Sequence, residues 1–298
     1  MAKPGSIRQP MNKAIVNLLE SYDLKTQDDY EIALKEIVQH LALLGMWRSK
    51  FYEHASLYGG TALRLFYGLR RFSEGLDFSL VKKDEYFDLL PHLKAIEKEI
   101  VAFGFKFTVE KKTKKFISPI ESAFIKGNTR VNLLSIEARE NIIKGFHREQ
   151  KIKIKLEVDT DPPPGSQHEV KTLLTPIPFG VKTFTKPDLF AGKMHAVLCR
   201  QWKSRVKGRD FYDLIWFIGQ KIPCRIEYLK EKMIQTGHWQ REDELNKDRL
   251  LKLLQEKFET VDFERAKQDV SPFIKDKQEL ALWNRNFFID VIQTCEVI

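Results

Sequence analysis

Apolar positions recur with a helical period in some stretches of this chain and alternate strictly in others, and the changes of period divide it. Ile32, Leu34, Ile37 and Leu41 fall at roughly helical spacing, which predicts the second of two N-terminal helices over residues 26–45. Thr26 reads as its N-cap, with Asp28 and Asp29 in the first turn. Residues 1–10 read as a loose arm. A strand-and-turn region follows over 57–80, then a helix over 84–103 and strands near 106–111, 115–126, 130–137 and 151–160. In the last of these Ile152, Ile154, Leu156 and Val158 face one way, and Lys153, Lys155, Glu157 and Asp159 the other, as in a half-buried strand. Pro162, Pro163 and Pro164 end it, because proline cannot donate to a sheet ladder. A second irregular stretch covers 175–178, and from Lys186 onward the pattern is helical. The reading is an α+β fold: a mixed sheet with flanking helices over 1–182, followed by an α-helical domain over 183–298.

Composition narrows the class. Of the 298 residues 43% are hydrophobic and 31% charged, as in a globular protein with a core. No run approaches the roughly 20 apolar residues that cross a bilayer. The opening Met-Ala-Lys-Pro-Gly-Ser lacks the apolar region of a secretory signal, so a cytoplasmic protein without membrane attachment is expected. Cys199, Cys224 and Cys295 are scattered, odd in number and without metal-ligand spacing, which fits inert thiols in a reducing compartment. The net charge of +9 suits a polyanion, meaning nucleotide phosphates, RNA or an acidic protein. A basic protein with none of these partners explains the charge equally well.

Candidate chemistry begins at Tyr58. Tyr-Gly-Gly-Thr-Ala-Leu-Arg-Leu-Phe, ending at Phe66, reads as a strand end, a glycine turn and a new helix. A helix beginning at Thr61 would point free N–H groups and a hydroxyl at an anion. Taken alone, Gly59, Gly60 and Thr61 make an ordinary turn with an N-cap. After one short helix comes Arg71-Phe-Ser-Glu-Gly-Leu-Asp-Phe-Ser-Leu80, where Leu76, Phe78 and Leu80 alternate against Asp77 and Ser79. Asp77 then stands on the strand face opposite the buried residues, where a carboxylate can hold Mg²⁺ against a triphosphate.

This order of Gly-Gly-Thr, short helix and Arg-x-Ser-x-x-Leu-Asp-Phe resembles the first motif of the AbiEii-type nucleotidyltransferase toxins of bacterial type IV toxin–antitoxin pairs. The helical stretch around Lys193 and Arg200, a basic linker, and then Lys207-Gly-Arg-Asp210-Phe-Tyr-Asp213-Leu resemble that family's later motifs. The resemblance runs from about Leu57 to Trp216. It implies that Gly59, Gly60, Thr61, Arg71, Ser73, Lys193 and Arg200 bind the nucleotide. It implies that Asp77 binds Mg²⁺, that Lys193 meets the phosphates, and that Asp210 helps orient that lysine or the substrate. It also implies a third carboxylate on a later strand, as metal ligand or base, with Glu157 and Asp159 both candidates and Glu157, which lies within the strand, preferred as the metal ligand beside Asp77. His195, beside Lys193, takes no role.

The family's first motif carries two aspartates separated by one residue, and here the first of those positions is Gly75. Glu74 is one residue out of register and so faces the other side of the strand. The chain as written is therefore expected to be catalytically crippled. Either it lost or rerouted metal binding naturally, through Glu74 at a bulge, or it is an inactivated copy of a toxic protein. For an intact member the resemblance implies Mg²⁺-dependent transfer of a nucleotide from an NTP to an acceptor hydroxyl, with RNA such as the tRNA acceptor end as target. A cognate antitoxin would neutralise it. Two rivals stand: a non-catalytic RNA- or protein-binding member of the fold, and an enzyme that modifies a protein or small molecule.

Overall fold

The structure, a computed structural model, describes residues 12–113, 118–201 and 206–298. The expected arm over 1–10, the first residues of the strand expected from 115 and most of the basic linker after Arg200 lie outside the described residues. Helices α1 (Lys13–Glu20) and α2 (Gln27–Arg48) open the chain, followed by β1 (Ala55–Tyr58), α3 (Gly59–Tyr67) and β2 (Leu76–Leu80). Then come α4 (Leu90–Ala102), β3 (Thr108–Lys111), β4 (Ile120–Asn128), α5 (Thr129–Ser135), α6 (Glu140–Gly145), β5 (Lys151–Asp159), β6 (His168–Leu173) and β7 (Phe179–Phe184). Helices α7 (Lys186–Cys199), α8 (Gly208–Gly219), α9 (Ile226–Gln235), α10 (Lys247–Glu259), α11 (Phe263–Val270) and α12 (Arg285–Gln293) complete it. The strands form one mixed seven-stranded sheet in the order β3-β4-β5-β2-β1-β7-β6. The α+β class read from the sequence is the one observed. No helix among the described residues is long and apolar enough to cross a membrane.

The chain forms two compact units. The first comprises Met1–His54, Tyr86–Val158 and Thr172–Val181. Its centre is α2, which starts in a capping box: Thr26 accepts the Asp29 N–H, and the Asp29 carboxylate accepts the Thr26 N–H at 2.8 Å. Leu34, Ile37, Val38 and Leu41 to Leu44 are fully buried, so this helix is covered on nearly every side. At Gly45 a Cβ would lie 2.6 Å from the Ile96 backbone, and the missing side chain is what lets α4 pack so closely. Helix α4 begins later than expected from sequence, with Pro91 in its first turn, where the absent N–H costs no hydrogen bond.

One strand is overturned. Residues 130–137 were expected to be extended, but 129–135 are helical. Asn128 caps this helix by accepting the Val131 N–H at 3.1 Å. Asn132 then ties it down, accepting from Lys106 N at 2.7 Å and donating to Lys106 O at 2.9 Å. Strand β5 matches expectation, with Ile152, Ile154, Leu156 and Val158 buried.

The second unit comprises Ala55–Glu85, Asp159–Lys171 and Lys182–Ile298. Strand β1 pairs antiparallel with β2, setting Tyr58 opposite Asp77, and parallel with β7, setting Leu57 opposite Thr183. Its helices close on an aromatic core in which Phe288 of α12 stacks on Phe263 at 4.8 Å. Phe211 and Phe258 each meet Phe288 at 5.5 Å.

Candidate active site

The chain leaves β1 at Tyr58 and turns at Gly59, whose φ of 78° lies in the left-handed region open to glycine. A Cβ built there would sit 3.1 Å from Asp77 Oδ2, so the Asp77 carboxylate stands over the backbone that begins α3. No side chain caps α3. Its first N–H groups lack intrahelical acceptors, as at any helix start, which is the property by which such a turn can take an anion. At Gly60 a Cβ would approach Arg71 Nη2 to 2.7 Å and Ser73 Oγ to 2.8 Å, so the second glycine is required by what packs behind it. Thr61 differs from the expectation. Its hydroxyl is buried and bonded to Ser73 Oγ at 2.9 Å and to the Gly75 carbonyl, so it braces the turn from inside instead of facing an anion.

Behind the turn lies a chain of alternating charges. Arg71, 2% exposed, donates through Nε and Nη2 to the two carboxylate oxygens of Asp213, both at 2.6 Å. Lys193 Nζ of α7 reaches Asp213 at 2.7 Å and Asp210 at 3.5 Å, and Arg200 pairs with Asp210. Burial alone would raise the Asp213 pKa, but the charges and hydrogen bonds of Arg71 and Lys193 outweigh it and hold the carboxyl below its usual range. Three cations share two carboxylates here, so the network keeps a net positive charge. Lys207 joins this cationic environment, its pKa lowered first by burial and then by Arg200. Asp213 was visible in the motif but had no assigned role. Its signal was the three-residue spacing from Asp210, which puts both on one face of α8.

The carboxylates expected to hold a metal are distributed unequally. Gly75 immediately precedes β2 and offers no ligand. Glu74 is paired with Arg209 at 3.1 Å, and that guanidinium lies 4.1 Å over the Phe273 ring. Glu157 on β5 meets Ser122 Oγ at 3.4 Å and Lys155 Nζ at 2.7 Å. Asp159 accepts the Asp161 N–H at 3.1 Å, and burial raises its pKa against the opposing influence of that N–H and of Lys232. At the turn itself a carboxylate and a phosphate can share the helix start only with a cation between them, and Asp77 has the hard oxygens that Mg²⁺ takes. With Gly75 beside it and Glu74 engaged elsewhere, the residues of this motif fit one such ion and not a pair.

A glycine turn at a helix start beside a strand carboxylate, backed by a cation network, is a layout suited to handling nucleotides. The family described as Nucleotidyl transferase AbiEii toxin, Type IV TA system, matches residues 41–287, and the chain belongs to that family. Among solved structures it is similar to JHP933 from Helicobacter pylori, at 18% identity and a TM-score of 0.46, covering 87% of this chain and 89% of that one. It is also similar to a Helicobacter pylori protein described as a candidate nucleotidyltransferase, at 19% identity and a TM-score of 0.47, covering 87% and 94%. An antigenic nucleotidyltransferase-like protein from Paracoccidioides brasiliensis matches at 14% identity and a TM-score of 0.39, covering 80% and 96%. Comparison with curated protein sequences finds no match.

Proposed function

We propose that the chain carries the site of a nucleotidyltransferase toxin that moves a nucleotide from an NTP to an acceptor hydroxyl, RNA at the tRNA acceptor end being the acceptor. The observation that carries this reading is the Asp77 carboxylate standing against the Gly59–Gly60 start of α3. The N–H groups of Gly60 and Thr61 take phosphate oxygens, and Asp77 holds Mg²⁺, which supplies charge neutralisation when bound. Lys193 and Arg200 face the charge that develops on the phosphates, while Arg71 and Ser73 hold the turn in place. The acceptor hydroxyl attacks the α-phosphorus in line and its proton passes to Glu157 or Asp159. The α–β bridging bond breaks and pyrophosphate leaves. Residues 1–182 supply the turn and strand carboxylates, and 183–298 the lysine and arginine. A cognate antitoxin and a cytoplasmic setting complete the reading.

Gly75 leaves this site short of a carboxylate, so the chain as it stands transfers nucleotides poorly. A second reading, a non-catalytic RNA- or protein-binding member of the fold, draws on the same glycine and on the engagement of Glu74 by Arg209. The test incubates this chain and its Gly75→Asp variant with Mg²⁺, labelled NTPs and total RNA. Label on RNA only with the variant is the expected result. Salt-sensitive RNA binding by both proteins with no label from either would overturn the transferase reading in favour of the binding one.

A further inference from the structure

Away from that turn, three side chains of the second unit converge in a way their sequence positions conceal. His195 and Cys199 lie four residues apart on α7, one helical turn, and so share a face. His238, just past the end of α9, closes on them from a segment about forty positions downstream. One ligand atom from each of the three lies within 4.8 Å of the others. Tetrahedral N/S coordination, with bonds of roughly 2.0–2.3 Å, brings ligand atoms somewhat closer than this, a change within reach of side-chain rotation. A single hydroxyl orients both rings: Thr236 Oγ1 is 2.9 Å from His195 Nε2 and 2.9 Å from His238 Nδ1. Thr236 is itself fixed to the Lys232 carbonyl at 3.0 Å. Outer contacts of this kind aim imidazoles at a metal and set which nitrogen faces it.

We propose that His195, Cys199 and His238 form a binding site for a zinc-class transition metal, with a fourth position open to solvent or an exogenous ligand. The surroundings select the chemistry. His195 is partly buried on α7, and it is the neutral imidazole that binds such a metal. Cys199 is a buried free thiol, and its proton leaves to solvent when the metal–sulfur bond forms. Lys232 and Arg200 act on His195, and Lys257 acts on Cys199, all of them positive. A hard ion held mainly by charge, such as Mg²⁺, is disfavoured there, whereas a metal bonded to imidazole and thiolate is not. Its three ligands are distinct from the oxygen ligand proposed at Asp77.

The test adds Co²⁺ to the chelator-treated full-length chain and follows the thiolate-to-cobalt charge-transfer absorption. One equivalent of Co²⁺ is expected to produce the band, Zn²⁺ to abolish it by displacement, and excess Mg²⁺ to leave it intact. Cys199→Ser removes the band. His238→Ala, at an exposed position, weakens binding while leaving the far-UV circular dichroism unchanged. Thr236→Val lowers affinity by about 10–100-fold, the usual loss for an orienting contact. Asp77→Asn has no effect, which separates this site from the nucleotide site. Absence of a band in the unmodified chain, its persistence in Cys199→Ser, or its loss in Asp77→Asn would each overturn the proposal.

Discussion

Asp213 is the residue on which the charge network turns. It is fully buried and accepts from Arg71 and Lys193, two cations delivered by different parts of the second unit. Removing one partner of a buried pair leaves the other charge without compensation, at a cost of about 3–5 kcal/mol. Asp213→Asn is therefore expected to lower the unfolding free energy by that amount in urea titration near neutral pH. The pH dependence has a definite sign. The native pKa of Asp213 is held below its unfolded value of about 3.9, so its contribution is complete above that pH and is lost as pH falls through the native value. The stability gap between the chain and Asp213→Asn should accordingly narrow below about pH 4. A gap that stays constant there would mean the carboxylate is not held by its cations.

At the scale of elements, the most instructive case is α5, where the sequence reading and the structure part. Arg130 to Glu137 carries apolar residues that suit a strand, and Leu133 is indeed buried. What makes the segment helical is its start, where Asn128 accepts the Val131 N–H and also donates to the Arg148 carbonyl at 2.7 Å. An N-cap of this kind contributes about 1 kcal/mol. Asn128→Ala should reduce stability by at least that much, and Asn128→Ser, which keeps the cap, by less. Equal losses would assign the effect to the Arg148 contact alone. The contrast with α2 explains the error: Thr26 precedes a long helical pattern and was legible as a cap, whereas Asn128 sits at the end of one strand and before a short apolar run. With so few residues, periodicity does not separate helix from strand.

At the scale of the molecule, four helices of the second unit, α8, α10, α11 and α12, meet in one aromatic cluster, and α8 carries Asp210 and Asp213. Phe288 is fully buried and meets Phe211, Phe258, Phe263 and Trp283. Truncating it removes packing among α8, α10, α11 and α12 together. Phe288→Ala should cost about 3–5 kcal/mol by denaturant unfolding, in the range typical of a buried aromatic. A cost well under about 1 kcal/mol would mean this region repacks around the cavity.

Sequence alone determined whatever depends on neighbours along the chain. The alternation of β5, the Thr26 cap, the Gly59–Gly60 turn and the ordered family motifs all follow from residues a few positions apart, because backbone geometry fixes which of them share a face. Tertiary structure alone decided which distant groups meet. Arg71 and Asp213 are 142 residues apart, and nothing local to either says that they form one bidentate pair. The inward turn of the Thr61 hydroxyl, the capture of Glu74 by Arg209 and the convergence of His238 on His195 and Cys199 are of the same kind. A charged or polar side chain takes whichever partner burial leaves within reach, and that choice exists only once the fold has formed.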